Sequence, residues 1–132
     1  MAYGNVSVDI IQSSTTGTPT QFNDGSGNQI GTLCRAWVNF LGGSTPTISS
    51  SFNVSSVTYS TTGTWVVNFS NAFSDTNFIG IGNAYYATYS SAYGADVVNT
   101  RPINTSSSQV VDYNGGSARN LSGGNIQVAF FR

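Results

Sequence analysis

The sequence contains no lysine, no glutamate and no histidine; its charge rests on four arginines and five aspartates in 132 residues. These absences remove the side chains most often used as general bases, Schiff-base amines and zinc ligands. Catalysis and cofactor binding are therefore not expected. A single cysteine, Cys34, excludes an internal disulfide. The arginines are scattered and the net charge is −1, so no basic stripe exists to neutralise phosphates, and a nucleic-acid partner is not expected. No apolar run approaches the roughly 20 residues of a spanning helix. The opening Met1-Ala2-Tyr3-Gly4-Asn5 lacks the charged segment and apolar block of a signal peptide. Synthesis in a cytoplasm without membrane insertion is the expectation.

What fills the chain instead is Ser, Thr, Asn and Gly, together 64 of the 132 residues. Such a composition would suit a disordered chain, were it not for 13% aromatic residues and many Val and Ile placed in pattern. From Leu33 to Phe40 the side chains alternate strictly. Cys34, Ala36, Val38 and Phe40 fall on one face, and Leu33, Arg35, Trp37 and Asn39 on the other. Residues 64–70 repeat the alternation with Trp65, Val67 and Phe69. Residues 52–59 do so with a phase slip at Ser55-Ser56 that predicts a β-bulge. Ser60-Thr61-Thr62-Gly63 between them has the length and glycine of a hairpin loop. Trp65 is expected in the core.

Further strands are predicted at 78–87, 95–99, 108–113 and 125–131, each bounded by Gly, Asn, Ser or Pro. No segment has helical spacing over three turns. The pattern predicts an all-β protein, an antiparallel β-sandwich of jelly-roll-like or Ig-like type. Its head domain spans 31–132, and 1–30 form an extended N-terminal arm or attachment segment. Residues 13–21 have almost nothing to bury, so this stretch is either an arm that adds to another chain's sheet edge or a first strand followed by a long loop.

Three stretches carry a resemblance: Gly31-Thr32-Leu33-Cys34-Arg35-Ala36-Trp37-Val38-Asn39-Phe40, Ile48 to Val57 with Ser51-Phe52-Asn53-Val54-Ser55-Ser56-Val57, and Trp65-Val66-Val67-Asn68-Phe69. They are similar to a module at the ends of tail-fibre and related virion proteins of tailed bacteriophages. The opening Met1 to Asp9 also resembles the start of such proteins. The resemblance covers about residues 1–12 and 31–78 and implies a non-enzymatic virion-surface protein, made in the host cytoplasm. It implies a homotrimer whose strand-hairpin-strand unit is scaffold and whose later loops are variable. The N-terminal arm would engage other virion proteins, and the head a host cell-surface glycan or protein. A capsid decoration protein that stabilises the phage head fits the same compact build, and a free-standing carbohydrate-binding module is the rival from another class.

Individual residues bear on these readings. Cys34 has no histidine to activate it and is expected to be a small core residue. Asp24-Gly25-Ser26-Gly27-Asn28 begins like a calcium loop, yet Arg35 stands where the bidentate Glu should be, which favours a turn closed by Asp and Asn side chains. A glycosidase carboxyl pair has no positive support among Asp9, Asp24, Asp75, Asp96 and Asp112. The Asn-x-Ser/Thr triplets at Asn5, Asn53, Asn68, Asn104 and Asn120 follow from composition. Arg35 shares its face with Leu33 and Trp37. Either its guanidinium lies over Trp37, or Arg35 and Trp37 form a subunit interface. Tyr85, Tyr86, Tyr89 and Tyr93 cluster with Ser and Gly, as in adaptable contact surfaces, and are candidate contacts to a host glycan or partner; ordinary half-buried strand tyrosines are the alternative.

Overall fold

A computed structural model describes residues 10–11, 22–85, 97–114, 117–118 and 123–132. The chain divides between Leu33 and Cys34 into two units, each described by itself. Within the first, β1 (Phe22–Asn23) and β2 (Gln29–Gly31) pair as an antiparallel hairpin. Of the expected 1–30 arm, residues 1–9 and 12–21 lie outside the described residues.

The second unit is an antiparallel β-sandwich. One sheet has the order β4-β3-β11-β7, built from β3 (Cys34–Leu41), β4 (Thr47–Phe52), β7 (Ile79–Tyr85) and β11 (Asn125–Phe131). The other runs β5 (Val54–Thr61), β6 (Thr64–Phe69), β9 (Ser107–Asn114), β8 (Val97–Asn104), and the short β10 (Ser117–Ala118) continues beside the end of β9. The alternation read from sequence determines which side of each strand is inside. Ala36, Val38 and Phe40 of β3 and Ile126, Val128 and Phe130 of β11 face Trp65, Val67 and Phe69 of β6 and Val110 of β9. Trp65 is completely buried. Its ring meets Phe40 edge-on at 5.7 Å, and its indole N–H donates to the Gly43 carbonyl at 2.9 Å. At the other end of the core Phe69, Phe73, Phe78 and Phe130 interlock, with centroids 4.5–6.1 Å apart.

The predicted bulge is present: Val54 pairs with Phe69 and Ser56 with Asn68, leaving Ser55 as the extra residue. The hairpin turn is tighter than expected, since Thr61 already pairs with Thr64 and Gly63 takes the left-handed conformation (φ 67°). Two differences from the sequence reading have plain causes. The strand β4, Thr47-Ile48-Ser49-Ser50-Ser51-Phe52, was not expected, because its serines give no apolar alternation. The strand expected to stop at Asn99 continues to Asn104 through Pro102. A proline is tolerated there because, among the described residues, β8 pairs only with β9, which leaves its other edge without ladder bonds from them.

Where β7 and β8 bring the two sheets together, glycine is required by space. A Cβ on Gly82 would lie 2.6 Å from Val98 Cγ1 and 3.1 Å from the Gln127 carbonyl oxygen, and one on Gly80 2.6 Å from Thr100 Oγ1. That Thr100 hydroxyl donates to the Gly80 carbonyl at 2.9 Å. Gly82→Ala is expected to cost about 1–3 kcal/mol as overpacking. Chemical denaturation should show part of that loss recovered in Gly82→Ala/Val98→Ala, where the clashing methyls are gone. Equal losses in single and double variants would place the strain elsewhere.

Candidate functional site

Because Ala36, Val38 and Phe40 point inward, their neighbours Trp37, Asn39 and Leu41 stand on the outer face of the four-stranded sheet. The same parity puts Ile79, Ile81, Asn83 and Tyr85 of β7 and Asn125, Gln127 and Ala129 of β11 there. Register then aligns residues from distant parts of the chain into rows. Phe52 pairs with Trp37, Trp37 with Ala129, and Ala129 with Ile81. One step along, Ser50 pairs with Asn39, Asn39 with Gln127, and Gln127 with Asn83. The rows run across the strands, two residues or about 7 Å apart, with neighbouring members about 4.8 Å apart.

The apolar row is uneven in height. The small Ala129 lies between the large Trp37 and Ile81, and a groove of about 570 Å³ opens above it, lined also by the amides of the second row. Trp37 is 38% exposed, Ile81 63% and Phe52 55%. Three large apolar side chains of one row are thus open to solvent, a pattern common where proteins meet partners or ligands. Among the described residues, no charged one lines the groove. Among the described residues, no side-chain hydrogen bond engages Asn39, Gln127 or Asn83, and the Asn39 Oδ1 is enclosed without a donor. An enclosed acceptor left unmatched costs about 1–3 kcal/mol, so the amide row carries hydrogen-bonding capacity that folding does not use. Among the described residues a smaller depression of about 260 Å³, lined by Arg101, Gln109 and Tyr113, lies on the other sheet.

The sequence-predicted residues distribute as follows. Trp37 and Tyr85 both lie on this outer face, on β3 and β7, and Tyr85 pairs with Asn125, one row beyond the amides. Tyr86, Tyr89 and Tyr93 lie outside the described residues. Arg35 departs from the expected alternation. Cys34 pairs with Phe131 and Ala36 with Phe130, so Arg35 is the extra residue of a bulge, and its guanidinium lies 5.5 Å from the centre of Phe73 instead of over Trp37. Its Nη1 is enclosed without a hydrogen-bond partner. Cys34 is half-buried at the start of β3, its thiol donating to the Ala36 carbonyl.

The aspartates have separate tasks. Asp24 closes the β1–β2 turn: its Oδ1 accepts from the Ser26 and Asn28 amides, both at 2.9 Å, and its Oδ2 from the Asn28 side chain. The Asn28 side chain, then the Asn28 and Ser26 amides, hold its carboxyl below the ordinary carboxylate range. Asp75 receives Nε and Nη2 of Arg132, which with the Asn77 amide lower its pKa likewise. Asp112 is fully buried on β9. Asp9 and Asp96 lie outside the described residues. Among the described residues no group of three or more His, Cys, Asp or Glu converges.

The groove escaped the sequence reading because each of its strands alternates unremarkably. Only the insertion of β11 between β3 and β7 brings Asn39, Gln127 and Asn83 side by side, and no local signal announces that pairing. Compared with protein families, with curated proteins and with solved structures, the chain matches none of them.

Proposed function

We propose that the chain is a non-enzymatic protein of the exterior of a tailed-phage virion, a short tail-fibre or receptor-binding protein that works as a homotrimer. The observation that carries this reading is the division of labour within the phage-like stretches. Their Ala36, Val38, Phe40, Val57, Trp65, Val67 and Phe69 build the core, and their outward Trp37 and Phe52 stand in an exposed row that folding leaves uncovered. A scaffold that spends its burial on rigidity and presents an uncharged face suits attachment rather than chemistry. In this proposal the 1–30 segment engages other virion proteins.

Two measurements test it. Antibody labelling of intact virions should mark the tail, and light scattering of the purified protein should give the mass of three chains at micromolar concentration. Label confined to the capsid would replace the receptor-binding reading with a decoration protein. A monomer in solution would remove the trimer.

A further inference from the structure

We propose that the groove on the outer face of the four-stranded sheet binds a neutral saccharide, its ring lying on Trp37 above Ala129 and its hydroxyls held by the amides of Asn39, Gln127 and Asn83. This deepens the receptor-binding reading, on which its biological meaning rests, by naming the ligand class of the same site.

Three properties of the groove select that chemistry. The first is its division into two parallel strips, an apolar one from Trp37 through Ala129 to Ile81 and an amide one from Asn39 through Gln127 to Asn83. A pyranose has the same division: a C–H face that packs on an aromatic ring, and a rim of hydroxyls. Each hydroxyl both donates and accepts, and each primary amide offers a carbonyl oxygen beside two N–H donors, so one amide can hold two neighbouring hydroxyls. Three amides at strand spacing can therefore read a ring and part of its neighbour.

The second property is the absence of charge from the lining among the described residues. A carboxylate, sulfate or phosphate entering here would lose water with no cation to replace it. The ligand is accordingly neutral. The third is that the backbone beneath the groove is spent. Each floor strand from β3 through β11 to β7 is paired on the sides facing the groove's centre, with Val38, Val128 and Gly82 in one continuous register row. An extended peptide, which docks by adding main-chain hydrogen bonds to a free edge, finds none there, and recognition falls to side chains. The unused acceptor of Asn39 fits this role, because the terminal torsion of an asparagine is broad and a modest turn of the amide brings Oδ1 to a hydroxyl.

The full-length protein, fluorescently labelled, is to be applied to a printed array of neutral and acidic oligosaccharides. The same is done with Trp37→Ala and with Ala129→Leu, which raises the groove floor while leaving every amide in place. The wild type should retain a set of neutral glycans and ignore acidic ones. Both variants should lose that signal by about tenfold or more, with melting temperature and mass by light scattering unchanged. Absence of any neutral glycan, or binding that survives both substitutions, overturns the inference. So does a Trp37→Ala protein that falls apart into smaller units, since the face would then be covered by a second copy of the chain. Neutral glycan binding through this groove by a protein that labels no virion would keep this inference and sink the virion reading; a tail protein indifferent to every neutral glycan would do the reverse.

Discussion

Trp65→Ala is expected to lower the unfolding free energy by about 3–5 kcal/mol, the usual cost of deleting a large buried aromatic. Trp65 has no exposed surface, and its removal deprives Phe40 of its edge-on neighbour. It also leaves the Gly43 carbonyl without the indole N–H, and the backbone there is held in a glycine-favoured conformation (φ 118°) that has little room to seek another donor. A domain of this size has roughly 5–15 kcal/mol in total, so a large part of the population should unfold at moderate urea concentration. Tyr85→Ala on the outer face is the comparison and should stay within about 0.5 kcal/mol of wild type. Urea unfolding at matched protein concentration measures both. If Trp65→Ala unfolds like wild type while Tyr85→Ala collapses, the inner and outer faces have been exchanged.

Asn53→Ala is expected to cost about 2–4 kcal/mol, which is more than a half-exposed polar residue ordinarily loses. Asn53 sits where the chain leaves the first sheet after β4 and enters the second at β5, with a positive φ of 54°. Its side chain donates to the Arg35 carbonyl at 3.0 Å and the Asn71 carbonyl at 3.1 Å, and its Oδ1 accepts from the Asn71 amide at 2.7 Å. The Ser70 amide adds a bond to its carbonyl. Alanine forfeits these three side-chain bonds and a fourth, from the Asn71 side-chain amide to Oδ1 at 3.2 Å, worth about 1 kcal/mol each, and keeps the left-handed backbone that disfavours a Cβ. Asn53→Gly loses the same bonds but adopts that backbone freely, and should recover about 1 kcal/mol relative to alanine. Equal losses for both would show that the conformation contributes nothing to the choice of asparagine.

The sequence was most informative where one face of a strand is buried and the other wet. Asn125–Phe131 was read to the residue because Ile126, Val128 and Phe130 alternate with polar or small partners. The bulge at Ser55 was legible as a break in the same rhythm. The serines of β4 gave no rhythm, and their strand became visible only through pairing with β3. Arg35 was misplaced because alternation assumes an unbroken ladder, whereas the shift between Phe130 and Phe131 turns it toward Phe73. Trp37 and Tyr85 were singled out for composition and spacing. That they share a face, with three amides between their rows and an alanine to open the groove, depends on strands up to about ninety positions apart becoming neighbours.

The position of β11 also has a consequence in time. It fills the gap between β3 and β7, and it is made after both. At about 5–20 residues per second on the ribosome, the free edge of β3 waits roughly 4–17 s after Leu41 is joined, although β4 covers its other edge almost at once. Once Tyr85 is joined, for roughly the last 2–8 s of that interval at the same rate, a nascent chain offers two unpaired strand edges, a slot fitted to one seven-residue segment. That segment is the same in every copy, so on a crowded polysome the last strand of one chain can complete the sheet of the next. Expression rate and temperature, rather than the stability of the finished sandwich, would then decide how much protein emerges with its own strand in place.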